Sequence, residues 1–381
     1  MRIAVCSGAL CVGLSSGAAG CRGNVPAPPA RDLDAPARMV VTERWRAGGR
    51  LIIVDETGDR LAPLLVPGAA ADGTPAVDEH PAFSPDGRWV VFASTRTRDD
   101  RRTSLWIAEA HPDAMPRRLT TGAADVDPTW TPDGDAVVFA SDRGGVSIDL
   151  YRLPMNDGVA TGAPTPLTDA PTHELAPSLV GARLVMQVVE PTGGGSRIVE
   201  RATDGALVTL TDGPSDGAPA LAPDGTALAY AAARLRPDGE RDLDVVVIDL
   251  DAEGRERPGV ALEGTDEGAP AWSSDGRWLF VTSILRDVEG APLLSSVLHL
   301  DTWGTPPKLR MLRDAAGAAP RLGAALAPGD LDQTSLLRNP DYAIALRNAL
   351  VELEEAEAAE RERDKARDRD SPSRAPSTLT P

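Results

Sequence analysis

Between residues 80 and 283 short apolar runs alternate with turn residues, at a spacing too tight for helices. Trp89-Val90-Val91-Phe92-Ala93 is almost unbroken in its apolarity and follows the turn phrase Ser84-Pro85-Asp86-Gly87. A continuous run of this length, bounded by turn signals and rich in β-branched and aromatic residues, predicts a strand covered on both faces. The phrase recurs as DPTWTPDGDAVVFAS, APSLVGARLVMQ, APALAPDGTALAYAA and APAWSSDGRWLFVTS. Its turn glycines are Gly87, Gly134, Gly181, Gly225 and Gly276, so consecutive copies stand 47, 47, 44 and 51 residues apart. Proline pre-sets the first turn position, aspartate tolerates the second, and glycine takes the positive φ. The third copy has lost Pro-Asp and kept Gly181, where a side chain would be opposed sterically.

Further β runs follow each turn, among them Ser104-Leu105-Trp106-Ile107, Asp149-Leu150-Tyr151-Arg152-Leu153 and Asp244-Val245-Val246-Val247-Ile248. Shorter segments such as Arg118-Leu119-Thr120 and Pro166-Leu167-Thr168 then close most copies. Four strands repeated at this period predict an all-β propeller of four-stranded antiparallel blades. A sixth blade is expected at the N-terminal side. Its strands are Arg38-Met39-Val40-Val41-Thr42, Arg50-Leu51-Ile52-Ile53-Val54-Asp55 and Ala62-Pro63-Leu64-Leu65-Val66, and they lack a first strand. Ala319-Pro320-Arg321-Leu322 is the expected donor from the other end of the chain, which would close the ring and remove its exposed edges. The expectation is a six-bladed propeller over residues 38–327.

The two ends differ in character from the repeats. Residues 1–21 read as a targeting segment, with Arg2 ahead of a modest apolar stretch from Ile3 to Leu14 and small residues to Gly20. Ala18-Ala19-Gly20-Cys21 resembles a bacterial lipobox, which makes Cys21 the expected site of lipid attachment; the other reading is an ordinary secretory signal cut near Gly20. Residues 22–37 carry Pro26, Pro28, Pro29 and Pro36 and read as a flexible linker. Toward the C-terminus, Asn339-Pro340 resembles a helix start, and Tyr342, Leu346, Ala349, Leu350, Leu353 and Ala356 form one apolar stripe. A C-terminal α-helix within a helical segment at 328–366 is therefore expected, either docked on the propeller or presented to a partner. Residues 367–381 read as a disordered tail.

Charge narrows the partners. The net charge of −18 and an isoelectric point near 4.7 leave no basic stripe for nucleic acid. Cys6, Cys11 and Cys21 are the only cysteines and all precede the repeats, so no disulfide can form within them. No cofactor is expected, and the domain reads as a monomer.

The residues that could carry chemistry recur with the repeat. Three positions before the proline of each copy stands a carboxylate: Asp78, Asp125, Glu174, Asp216 and Glu267. If first strands line a channel, these five gather at its mouth, where repulsion could raise pKa values or attract a cation. Alternatively each carboxylate accepts hydrogen bonds within its own turn. His80 and His173 lie beside Asp78 and Glu174 and complete the candidate channel-mouth binding set; no metal ligands are assigned. Gly-x-Ser-x-Gly occurs at Gly13–Gly17, within the targeting segment, and at Gly213–Gly217, where a strand-like run and no helix pattern follows, so neither reads as a nucleophile elbow. No phosphate-cradling glycine loop is present and no catalytic residue is assigned.

The Ser-Pro-Asp-Gly phrase followed by Val-Val-Phe-Ala-Ser resembles the WD-like repeats of TolB-type propellers, as do Leu51-Ile52-Ile53-Val54-Asp55 and Arg118-Leu119-Thr120. That resemblance implies a propeller working in the bacterial cell envelope, on the periplasmic side or outer surface, and binding another envelope protein without catalysis. The alternative is a propeller enzyme, a polysaccharide lyase or hydrolase, with a metal or acid–base site at the acidic mouth.

Overall fold

The structure is a computed structural model that describes residues 38–45, 48–55, 61–97, 102–145, 147–191, 195–235, 241–251, 254–262, 265–286, 292–303, 308–311 and 321–326. Within them the fold is all-β, with twenty-five strands and no helix. The first three strands are β1 (Arg38–Trp45), β2 (Gly48–Asp55) and β3 (Leu61–Pro63). The first blade holds β4 (Asp78–Phe83), β5 (Trp89–Ser94), β6 (Ser104–Glu109) and β7 (Arg117–Arg118). In the second lie β8 (Asp125–Trp130), β9 (Ala136–Ser141) and β10 (Asp149–Asn156), edged by β11 (Val159–Ala160) and β12 (Thr165–Pro166). The third is β13 (His173–Val180), β14 (Arg183–Val189), β15 (Ser196–Arg201) and β16 (Leu207–Thr209). The fourth is β17 (Asp216–Leu221), β18 (Ala227–Leu235), β19 (Arg241–Asp249) and β20 (Glu256–Val260). The fifth is β21 (Thr265–Trp272), β22 (Trp278–Arg286), β23 (Pro292–Asp301) and β24 (Lys308–Met311).

The expectation of six blades needs correction. Five blades, each from one continuous run of chain, follow from the five copies of the phrase. The remaining sheet is of a different kind. Its order is β25-β1-β2-β3, where β25 (Arg321–Leu326) comes from the far end of the described chain and pairs antiparallel with β1 through Met39↔Leu326, Val40↔Ala325 and Val41↔Ala324. The first strands touch in series, β4 to β8, β13, β17 and β21, and β25 contacts both β21 and β4. The C-terminal helix is not supported: residues 327–381 lie outside the described set, as do the targeting segment with Cys21 and the linker.

The turns form as their residues dictate. In the first blade Gly87 has φ 69° and its N–H donates to Ser84 O at 2.8 Å. The Ser84 hydroxyl donates to Asp86 Oδ1 and accepts from Trp89 N, while Arg88 N donates to Asp86 Oδ1. Thr131, Asp133 and Gly134 repeat this arrangement, and so do Ser273, Asp275 and Gly276.

Core residues lie between neighbouring sheets, which accounts for the unbroken apolar runs. Val90 and Phe92 of β5 face Val40 and Leu51, whereas Val91 faces Val137 and Phe139 in the next blade. Val138 and Ala140 then pack on Met186 and Val188, Val185 on Leu228 and Tyr230, and Ala229 on Leu279 and Val281. Side chains alternate in direction along a strand, so a strand sandwiched between two sheets must be apolar at every position. Trp130 and Trp272 also tie blades together, their indole N–H groups donating to Ala82 O and Ala220 O of the preceding blade.

Candidate functional site

All five repeated carboxylates are buried at the start of their first strands. Asp78 accepts from the Ser94 hydroxyl at 2.6 Å and from Arg96 Nε and Nη2 at 2.9 and 2.7 Å; Arg96 also reaches Val66 O. Asp125 accepts from the Ser141 hydroxyl and Arg143 Nη2, both at 2.7 Å. Glu174 accepts from the Thr172 hydroxyl, and Asp216 from Gly213 N. Glu267 accepts from the hydroxyls of Thr265 and Ser283 and from Leu262 N. Three of the five sit directly across from a serine in the ladder: Asp78↔Ser94, Asp125↔Ser141 and Glu267↔Ser283. These three brace the junction of first and second strands from within, Glu174 and Asp216 bond within the approach to their own strands, and all five are buried. Burial dominates the titration of Glu267 and, despite its three donors, raises its pKa to about 7.

Two residues further on, each first strand bulges. The ladder register shifts after Glu79, Val126, Leu175, Gly217 and Gly268. The residue before the proline adopts a left-handed φ in every case: His80 at 52°, Asp127 at 49°, Ala176 at 47°, Ala218 at 48° and Ala269 at 46°. Such a conformation is costly for a side-chain-bearing residue and is held by the surrounding ladder. Three of these positions are alanine. The other two meet: His80 Nδ1 lies 2.9 Å from Asp127 Oδ1, and Asp127 Oδ2 accepts from Ala176 N at 3.1 Å.

This chain of contacts crosses from the first blade to the third. His80 is 45% exposed and Asp127 23%. Burial pushes the Asp127 carboxyl up, but the hydrogen bond and charge of His80, with the Ala176 N–H, more than offset it and hold the group below the usual carboxylate range. An imidazole that donates from Nδ1 to a carboxylate presents Nε2 as its other working nitrogen. Gln187 plays a similar role in the third blade, its Oε1 accepting from Ala218 N of the fourth at 3.4 Å.

His173 does not join this pair. Its Nδ1 accepts from Ile148 N at 3.0 Å, which makes Nδ1 the unprotonated nitrogen and ties β13 to the approach to β10. Asp127 was not among the residues singled out in the sequence, although its place directly before Pro128, matching His80 before Pro81, was the available signal. Among the described residues no group of three or more His, Cys, Asp or Glu is placed to hold a metal ion.

Comparison with known proteins follows the fold. TolB from Acinetobacter baumannii is similar with a TM-score of 0.56 at 18% identity, over 77% of this chain and 67% of that one. A structure assigned as TolB from Agrobacterium tumefaciens has a TM-score of 0.53 at 18% identity, over 73% of this chain and 88% of that one. An oligogalacturonate lyase in complex with manganese is more distant, with a TM-score of 0.43 at 15% identity over 73% of each chain. No curated protein sequence matches. The TolB beta propeller domain matches residues 71–276, more than half of the sequence, and the chain belongs to that family.

Proposed function

We propose that this protein is a non-enzymatic scaffold of the bacterial cell envelope, exported, anchored through a lipid on Cys21, and binding another envelope protein as a monomer. In this reading the mixed sheet of β25 and β1–β3 closes the ring of five blades, with first strands from β4 round to β25 lining a channel. One observation carries the binding assignment. The repeated carboxylates are buried inside their own blades, so the polar pair His80–Asp127 is what sets the rim apart, the equivalent positions in the other three blades being alanine. A shallow, partly exposed pair on strained backbone suits recognition of a protein surface. The likeness to TolB supports an envelope setting.

A photo-crosslinking residue placed at position 80 in intact cells tests it, with position 115 on an exposed blade edge as control. One envelope protein captured from position 80 and not from 115 is the expected result. Capture from neither position, or equally from both, refutes the proposed binding face.

The His80–Asp127 geometry favours one second reading, an acid–base enzyme in which the carboxylate orients the imidazole. Turnover of an acidic polysaccharide that is lost in His80→Ala would establish it. Absence of turnover of every such substrate by the wild type, with capture of one envelope protein from position 80, leaves the scaffold.

A further inference from the structure

The junction of the second and third blades holds a buried acid pair with too few donors. Asp149 opens β10 at 5% exposure and Glu174 lies in β13 at 0%. Glu174 Oε1 accepts from Thr172, and Asp149 Oδ2 accepts from the Ser147 hydroxyl at 3.0 Å. The two remaining oxygens, Glu174 Oε2 and Asp149 Oδ1, are buried without a donor, and the bond from Glu174 N to Ile148 O at 2.7 Å brings the residue next to Asp149 against Glu174. A buried carboxylate oxygen without a donor is expensive, and two facing carboxylates cannot both stay ionised.

The surroundings supply little compensation. From β8 comes another carboxyl, Asp125, itself with an orphaned Oδ2. The Arg143 guanidinium beyond β9 is committed to Asp125 and lies 5.2 Å from the ring centres of both Phe139 and Tyr151. Tyr151 of β10 stands beside Asp149, which helps push its phenol up after burial itself. Thr168 and Thr172 approach Glu174 with hydroxyls, and the His173 ring nitrogen nearest the loop is an acceptor.

We propose that Asp149 and Glu174 share one proton, and that this proton is a pH-sensitive clasp between the second and third blades. With it, each orphaned oxygen gains a partner. Without it, like charges face each other at a seam tied by Glu174 N to Ile148 O at 2.7 Å and by Ile148 N to the His173 ring Nδ1 at 3.0 Å. Burial first, then the charge of Asp149, raises the Glu174 pKa in agreement with that arrangement. Asp127 lies two residues beyond Asp125 on β8, and Ala176 two beyond Glu174 on β13, so the clasp sets the spacing across which Asp127 reaches Ala176 N. Losing the proton loosens the rim beside His80.

The sign follows from linkage. A carboxyl whose pKa is raised by folding contributes fully below its unfolded value, and the contribution is lost as pH rises to the folded value. The ratio of folding equilibrium constants, wild type over Glu174→Gln, should fall by up to about tenfold per pH unit across that window and stay flat above it. Carbon-13 NMR of the intact wild type should show the Glu174 carboxyl titrating above the ordinary carboxylate range, and lower in Asp149→Asn. Amide exchange at Ile148 and Glu174 should quicken with pH beyond its intrinsic rise in wild type and not in Glu174→Gln. A Glu174 carboxyl that titrates in the ordinary range overturns the proposal, and so does a parallel pH dependence of wild type and Glu174→Gln.

Discussion

At the scale of single residues, the strain of the first strands is concentrated at one position per blade. Ala176, Ala218 and Ala269 carry a Cβ at φ values of 46–48°, a region that glycine occupies freely. Replacing Ala218 or Ala269 by Gly should therefore raise stability by about 0.5–1 kcal/mol in urea denaturation, unlike Ala→Gly elsewhere in a strand. The turn aspartates behave in the opposite way to Glu174. Asp133 is held below its ordinary pKa by the Thr131 hydroxyl and Asp135 N–H. Its contribution is present at neutral pH and lost as pH falls through that lowered value. Asp133→Ala should thus cost well under about 1 kcal/mol at neutral pH, the group being exposed, and nothing in strong acid. Paired denaturation curves at the two pH values check it. The carboxylates at 78, 125, 174, 216 and 267 are visible as a repeat, but the sequence leaves open whether they face a ligand or their own strand. All five are buried and three face a serine across the ladder, a relation no pattern along the chain carries because cross-strand register is a property of the ladder.

At the scale of the element, a strand works for two interfaces at once. Phe139 is fully buried on the face toward Val91, while Val138 and Ala140 pack the other way on Met186 and Val188. Phe139→Ala should cost about 3–5 kcal/mol, read as a shift in the denaturation midpoint at unchanged slope. The ion pair of Arg96 and Asp78 ties the first blade to the segment after β3, its side chains 7% and 3% exposed. Arg96→Ala strands a buried carboxylate and should cost about 3–5 kcal/mol, whereas the double change Arg96→Met with Asp78→Leu should recover most of that loss. Arg96 was not singled out in the sequence, although Ser94-Thr95-Arg96 recurs as Ser141-Asp142-Arg143 and each arginine bonds a buried carboxylate 18 positions earlier; that recurrence was the available signal.

At the scale of the molecule, the pairing of β25 with β1 joins the two ends of the described chain. A chain ending at residue 311 would leave β1 with an open edge and β21 and β4 without the strand that contacts both. It should unfold at lower urea with a shallower slope, and elute as higher oligomers in size exclusion as free edges find one another. An unchanged, monomeric truncation product would show that the mixed sheet does not close the domain.

The repeat spacing, the turn phrase and the two-sided apolar runs were enough to determine an all-β propeller and the donor of the strand beside β1, because these depend on local geometry and period alone. The tertiary structure decided what lies across each ladder. It turned five conspicuous carboxylates inward, brought His80 to Asp127, and set Asp149 against Glu174. Residues 25 and 47 positions apart along the chain become neighbours only when one blade is laid on the next, and no pattern read along the chain contains that distance.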